Sequence, residues 1–162
     1  MKRIQLLLLF SALFFCLTGC SHEQENEPLS PAIPTPKNHM ETITVYSVDP
    51  DSLTLVPVSV KKGKEAISEK YIISLVLSNL IEYQIKTPVL RKKGKRLYVS
   101  FFPGGEPVKN CNRKLEKLIL ECFANSLLDN IESCHDIIFQ VNGRAYKSDN
   151  FEFGPEEIYL SR

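Results

Sequence analysis

The stretch His135-Asp136-Ile137-Ile138-Phe139-Gln140-Val141-Asn142-Gly143 decides how this chain is read. Ile137, Phe139 and Val141 recur at every second position, the period of a β-strand with one buried face. Asn142-Gly143 follows at once. Both residues accept the positive φ angles of a type I′ turn, so the chain should reverse there and return through Arg144 to Tyr146 as a hairpin. Beyond it, the tail through Phe151, Phe153, Gly154 and Pro155 shows no period and reads as an irregular cover over one end of the core.

Before this hairpin the period changes to that of a helix, from about Asn112 to Ile131. Leu115, Leu118, Ile119, Cys122, Phe123, Ser126 and Leu127 form its expected buried side. Arg113, Lys114, Glu116, Lys117, Asn125 and Asp129 are expected to face water. Ahead of the helix lies the loop Pro103-Gly104-Gly105-Glu106-Pro107, which lacks the glycine spacing and Lys-Ser/Thr ending of a phosphate cradle. Two further strands, Val89 to Arg91 and Arg96 to Phe102, flank Lys92-Lys93-Gly94-Lys95. The basic residues from Arg91 to Arg96 invite a nucleic-acid reading. The run is short and has no interleaved aromatics, so a solvated hairpin tip is expected and nucleic acid is not.

A first helix is predicted over Glu65 to Tyr83, with Ala66, Ile73, Val76, Leu77 and Leu80 on one face and Ile72 and Ile81 widening it. It follows a hairpin of Thr42 to Val48 and Leu53 to Val60, joined by Asp49-Pro50-Asp51-Ser52. Pro57 has no N–H for a ladder, which places the second of these strands at an edge or a bulge. The expected fold is α+β: a small mixed or antiparallel sheet with two helices packed on one face, in the order β-β-α-β-α-β.

The first 40 residues have a different composition. Lys2 and Arg3 precede an apolar run from Leu6 to Leu17, interrupted only by Ser11, and Leu17-Thr18-Gly19-Cys20 closes it. This is an export signal that resembles those of bacterial lipoproteins, with cleavage between Gly19 and Cys20 and a diacylglycerol on the Cys20 sulfur. The run is shorter than the roughly 20 apolar residues of a membrane span. Two acyl chains give stable anchoring, so the protein is expected at the outer face of the cytoplasmic membrane. Residues 20–40 hold Pro28, Pro31, Pro34 and Pro36 and read as a linker, with His22 and His39 solvated in it. Residues 41–162 are left for a single domain with a real core.

Charge and cysteine usage narrow the function classes. Without residues 1–19 the chain has 18 Lys and Arg against 19 Asp and Glu, too balanced to steer it toward a polyanion. Of the five cysteines, Cys16 leaves with the signal and Cys20 takes the lipid. Cys111 and Cys122 lie about 16 Å apart if joined by helix, beyond the roughly 7 Å that a disulfide spans. Cys134 lies near the far end of that helix, so all three remaining thiols are expected to be reduced. His135 lies between Cys134 and Asp136. In a strand its side chain points away from both, which makes neither a triad nor a metal cluster. No catalytic residue, cofactor or metal site is expected, and no enzyme; Glu106 and Asp136 are the carboxylates whose replacement would test this.

The order of elements, with Ile43 to Asp49 (ITVYSVD), Leu55 to Val60 (LVPVSV), Lys95 to Phe102 (KRLYVSFF) and Ile137 to Gly143 (IIFQVNG), resembles the GerMN domain of spore germination, sporulation and other envelope lipoproteins. The resemblance covers about Thr42 to Arg144, with one domain where some germination members have two in tandem. It implies a fold like the ring-building motifs, two helices on one face of a three-stranded sheet, which serve protein assembly. The expected function is a lipid-anchored envelope protein that docks an envelope partner or a second copy of itself. The alternative is a lipoprotein that binds or senses a small ligand. The surface residues singled out for an interface are Pro57, Val58 and Val60 on the strand edge that runs to Lys62, and Lys92, Lys93 and Lys95 at the basic tip.

Overall fold

A computed structural model describes residues 41–162. The signal, the lipidation site Cys20 and the linker lie outside the described residues. The domain is α+β, as expected, but its strands form two sheets and their order differs. β1 (Thr42–Asp49) and β2 (Thr54–Lys61) make an antiparallel two-stranded sheet. α1 (Glu69–Asn79) follows, then a 3-10 turn over Ile81–Tyr83. Next come β3 (Val89–Lys93), β4 (Arg96–Phe101), α2 (Arg113–Asn130), β5 (Asp136–Val141) and β6 (Arg144–Lys147). The tail, expected to be irregular, contributes β7 (Glu152–Phe153) and β8 (Leu160–Ser161).

The large sheet runs β3-β4-β5-β6-β7, with β8 also on β5, where a three-stranded sheet was implied. β4 and β5 are parallel, in register from Arg96 opposite Asp136 to Phe101 opposite Val141. A parallel pair needs a long crossover, and α2 supplies it. β6 and β8 then share the other side of β5: β6 takes Gln140 and Val141, β8 takes Asp136 and Ile137. The turns follow their residues. Asn142 and Gly143 have φ of 50° and 71°, as type I′ requires, and Gly94 takes the positive φ at the first loop position between β3 and β4.

Both helices begin at side-chain caps. Ser68 Oγ accepts the Tyr71 N–H at 3.3 Å and Asn112 Oδ1 accepts the Leu115 N–H at 2.9 Å. The Ser68 cap starts α1 four residues later than its apolar spacing suggested. Ala66 is therefore exposed outside the helix, and Ile81, beyond its other end, is 77% exposed.

α2 is the centre of the core. Beyond the expected face, Leu120, Ala124 and Leu128 are buried too, because the β1–β2 sheet, α1 and the large sheet surround the helix. Leu97, Val99 and Phe101 of β4 and Ile137 and Phe139 of β5 belong to the same core; the Phe101 ring meets Phe123 edge-on at 5.6 Å. Full burial of a side chain such as Ile119, Phe123 or Leu127 contributes about 1.5–3 kcal/mol. On the sheet's other face the tail crosses β4 and β5. Gln140 Nε2 donates to the Pro155 carbonyl at 2.9 Å and the Tyr98 hydroxyl donates to Glu156 at 2.6 Å.

Candidate functional site

The two surfaces singled out in the sequence behave differently. Among the described residues β2 pairs with β1 alone, so it is an edge strand. The Lys62 N–H donates to the Glu41 carbonyl, and alternation from there makes Tyr46 and Pro57 a pair without mutual hydrogen bonds. Consistently, the Tyr46 N–H turns away from β2 and donates to Ser126 Oγ at 2.9 Å. The Pro57 nitrogen therefore faces outward, where it removes a donor from the open edge. Pro57 is exposed, but Val58 and Val60 are half-buried and pack against the core, so their side chains serve the interior.

The basic run from Arg91 to Arg96 is mostly engaged within the fold. The Arg91 guanidinium lies 4.0 Å from the centre of the Tyr98 ring. Lys92 Nζ donates to Glu69 at 3.0 Å and to Ser133 Oγ at 2.5 Å. The Glu69 carboxyl is held below its usual range by its own backbone N–H and by Lys92. Arg96 pairs with Asp136 and Glu156 at 3.5 and 3.7 Å. Among the described residues Lys93 and Lys95 form no ion pair, and both are exposed.

The groups weighed for chemistry are also committed. Glu106 accepts the Gly104 N–H at 2.5 Å, and Asp136 accepts the Ser161 hydroxyl at 2.8 Å beside Arg96. Cys111, Cys122 and Cys134 are free thiols, as expected. Burial pushes Cys122 up to about 12 and raises the other two, which holds all three protonated. Cys134 precedes β5 and is fully buried, with its sulfur 3.8 Å from the Asp136 carbonyl. Among the described residues no three His, Cys, Asp or Glu side chains lie together as metal ligands, and no helix is long and apolar enough to cross a membrane.

Glu116 was assigned to the water-facing side of α2, and the structure corrects this: it is 1% exposed. Its two oxygens accept the Tyr146 hydroxyl at 2.5 Å and Asn150 Nδ2 at 2.7 Å, and Asn150 Nδ2 also donates to the Cys111 carbonyl at 3.0 Å. Burial first, and the carboxylate second, raise the Tyr146 phenol well above its ordinary range. Cys111, Glu116 and Asn150 of this network line a cleft of about 490 Å³ between the 104–111 loop and the 147–150 loop, together with Glu106, Lys109, Lys147 and Asp149. The size suits a small molecule. Nothing in the spacing around Arg113 to Lys117 indicates the burial, because both side-chain partners lie 30 or more residues away.

No family model, curated protein or solved structure matches this chain.

Proposed function

We propose that the chain is an envelope lipoprotein, held at the outer face of the cytoplasmic membrane by a diacylglycerol on Cys20, whose domain mediates protein–protein assembly. The resemblance to the GerMN domain supports this reading and makes sporulation or germination the setting to test first. One observation carries it: among the described residues the outer edges of β2 and β3 have no neighbouring strand, while Glu116 and Asp136 are held by side chains distant in sequence and Glu106 bonds within its own loop. The domain is not an enzyme in this reading and needs no cofactor.

In-cell cross-linking of the lipidated protein, in growing and in starved cells, tests the assembly role. A defined envelope partner, captured by the wild type and lost when its contact surface is altered, is the expected result. Capture of nothing in either state would count against it. Cys20→Ala should abolish lipid labelling and leave the precursor uncleaved or released; a lipid-labelled variant would overturn the anchor. The cleft lined by Glu116 favours small-ligand binding as a second reading, which a thermal-shift screen of amino acids and wall fragments would test.

A further inference from the structure

Among the described residues β2 and β3 are both open edges, but Pro57 removes an outward donor from β2 whereas β3 loses none. The pairs Lys93–Arg96, Arg91–Tyr98 and Val89–Ser100 hold β3 to β4, because the odd-numbered residues of β4 turn to β5: the Lys95 carbonyl accepts the His135 N–H and the Phe101 carbonyl accepts the Asn142 N–H. Leu90 and Lys92 therefore turn their N–H and C=O groups outward. No proline interrupts this strand; Pro88 lies just before it.

The edge also has a hollow on each face of the sheet. On the helix side, Lys70, Ile73, Pro88 and Leu90 line a hollow of about 350 Å³. On the other face, one of about 210 Å³ runs inward from Val89 and Arg91 over Tyr98 and Phe102 to Gln140 and Asn142. Val89 and Phe102 are two of the few large apolar side chains left exposed, at 57% and 44%. Successive side chains of an added strand point to opposite faces, so a guest whose apolar residues face Ile73, Pro88 and Leu90 turns the residues between them to the face of Arg91 and Lys93.

Charge selects the guest. The strand carries Arg91, Lys92 and Lys93, with Lys95 in the turn, and Lys93 and Lys95 have no acidic partner among the described residues. A second copy of β3 would set like charges opposite one another. We propose that the β3 edge receives an extended segment of another protein, in which apolar residues alternate with acidic ones, by strand addition. This inference rests on the assembly reading and names the chemistry of the partner.

The test titrates the full-length lipidated protein in detergent with a labelled peptide of alternating valine and glutamate. Two comparison peptides carry lysine in place of glutamate, or N-methyl groups at every second residue. The glutamate peptide should bind, more weakly as salt rises, and the other two should not. Lys93→Glu with Lys95→Glu, both exposed, should weaken binding by about tenfold or more. Absent binding, equal binding of the lysine peptide, or indifference to the Lys93 and Lys95 reversals would overturn the proposal. A photo-cross-linking residue at Val89, compared with others across the surface, separates the two levels. Partner capture elsewhere but not at Val89 leaves assembly standing and removes this edge, and capture nowhere removes assembly itself.

Discussion

Strand β5 has backbone neighbours along both edges, whereas β1 has a strand along one edge and borrows side chains from α2 along the other. On that second edge Ser126 Oγ takes the Tyr46 N–H, and Asn130 Nδ2 donates to the Thr44 carbonyl at 2.7 Å. A ladder spreads its hydrogen bonds over many residues, so no single side chain decides it. The small sheet depends on individual side chains for its attachment, and the large sheet has its weak point where β6 and the 148–153 segment meet a buried carboxylate, at Glu116.

The strongest way to break this comparison is Glu116→Ala. It leaves the Tyr146 hydroxyl and one Asn150 donor bond without their charged acceptor in the interior, and should cost about 3 kcal/mol in urea denaturation. A loss below about 1 kcal/mol would show that the large sheet has no such weak point. Next comes pH. The unfolded chain releases the Tyr146 proton near pH 10, and the folded chain holds it to higher pH. Stability is therefore present in full below about pH 10 and falls as pH rises beyond it, by up to about 1.4 kcal/mol per pH unit for this group. Chemical denaturation across that range should show the fall, and Tyr146→Phe should lessen it.

Ser126→Ala tests the borrowed edge. It strips the acceptor from the Tyr46 N–H and should cost about 1 kcal/mol, with amide exchange accelerated in β1 and left alone in β5. Equal acceleration in both strands would erase the contrast. The smallest effect on stability belongs to Pro57→Thr, within about 0.5 kcal/mol. It restores an outward donor on β2, so sedimentation should detect new concentration-dependent self-association. A variant that stays monomeric would mean that Pro57 does not guard that edge.

Much of the fold was legible because local chemistry and tertiary need agree. Alternation in Thr42 to Val48 and in Ile137 to Val141, the Asn142-Gly143 turn and the helical spacing from about Asn112 each act over a few residues. Legibility ended where a partner is distant. Glu116, among Arg113, Lys114 and Lys117, reads as solvated until Tyr146 and Asn150 are brought to it. β7 and β8 are two residues each, too short to show a period, and owe their conformation to the strands they join. The six consecutive residues from Arg91 to Arg96 look like a charge patch, yet Arg91, Lys92 and Arg96 are engaged at the surface by Tyr98, Glu69, Asp136 and Glu156. Pro57 did mark an edge, but the burial of Val58 and Val60 depends on a core that no local pattern reveals.

The packing of α2 on more than one side has a consequence for how the domain comes apart. This helix touches both sheets, so a partly open state that keeps one sheet and sheds the other would strip apolar surface from its whole length. Such a state is costly at about 25 cal/mol per Å² exposed; beyond local fraying of a single strand such as β1, the protein should open as one cooperative unit, with the amides of α2 the slowest to exchange.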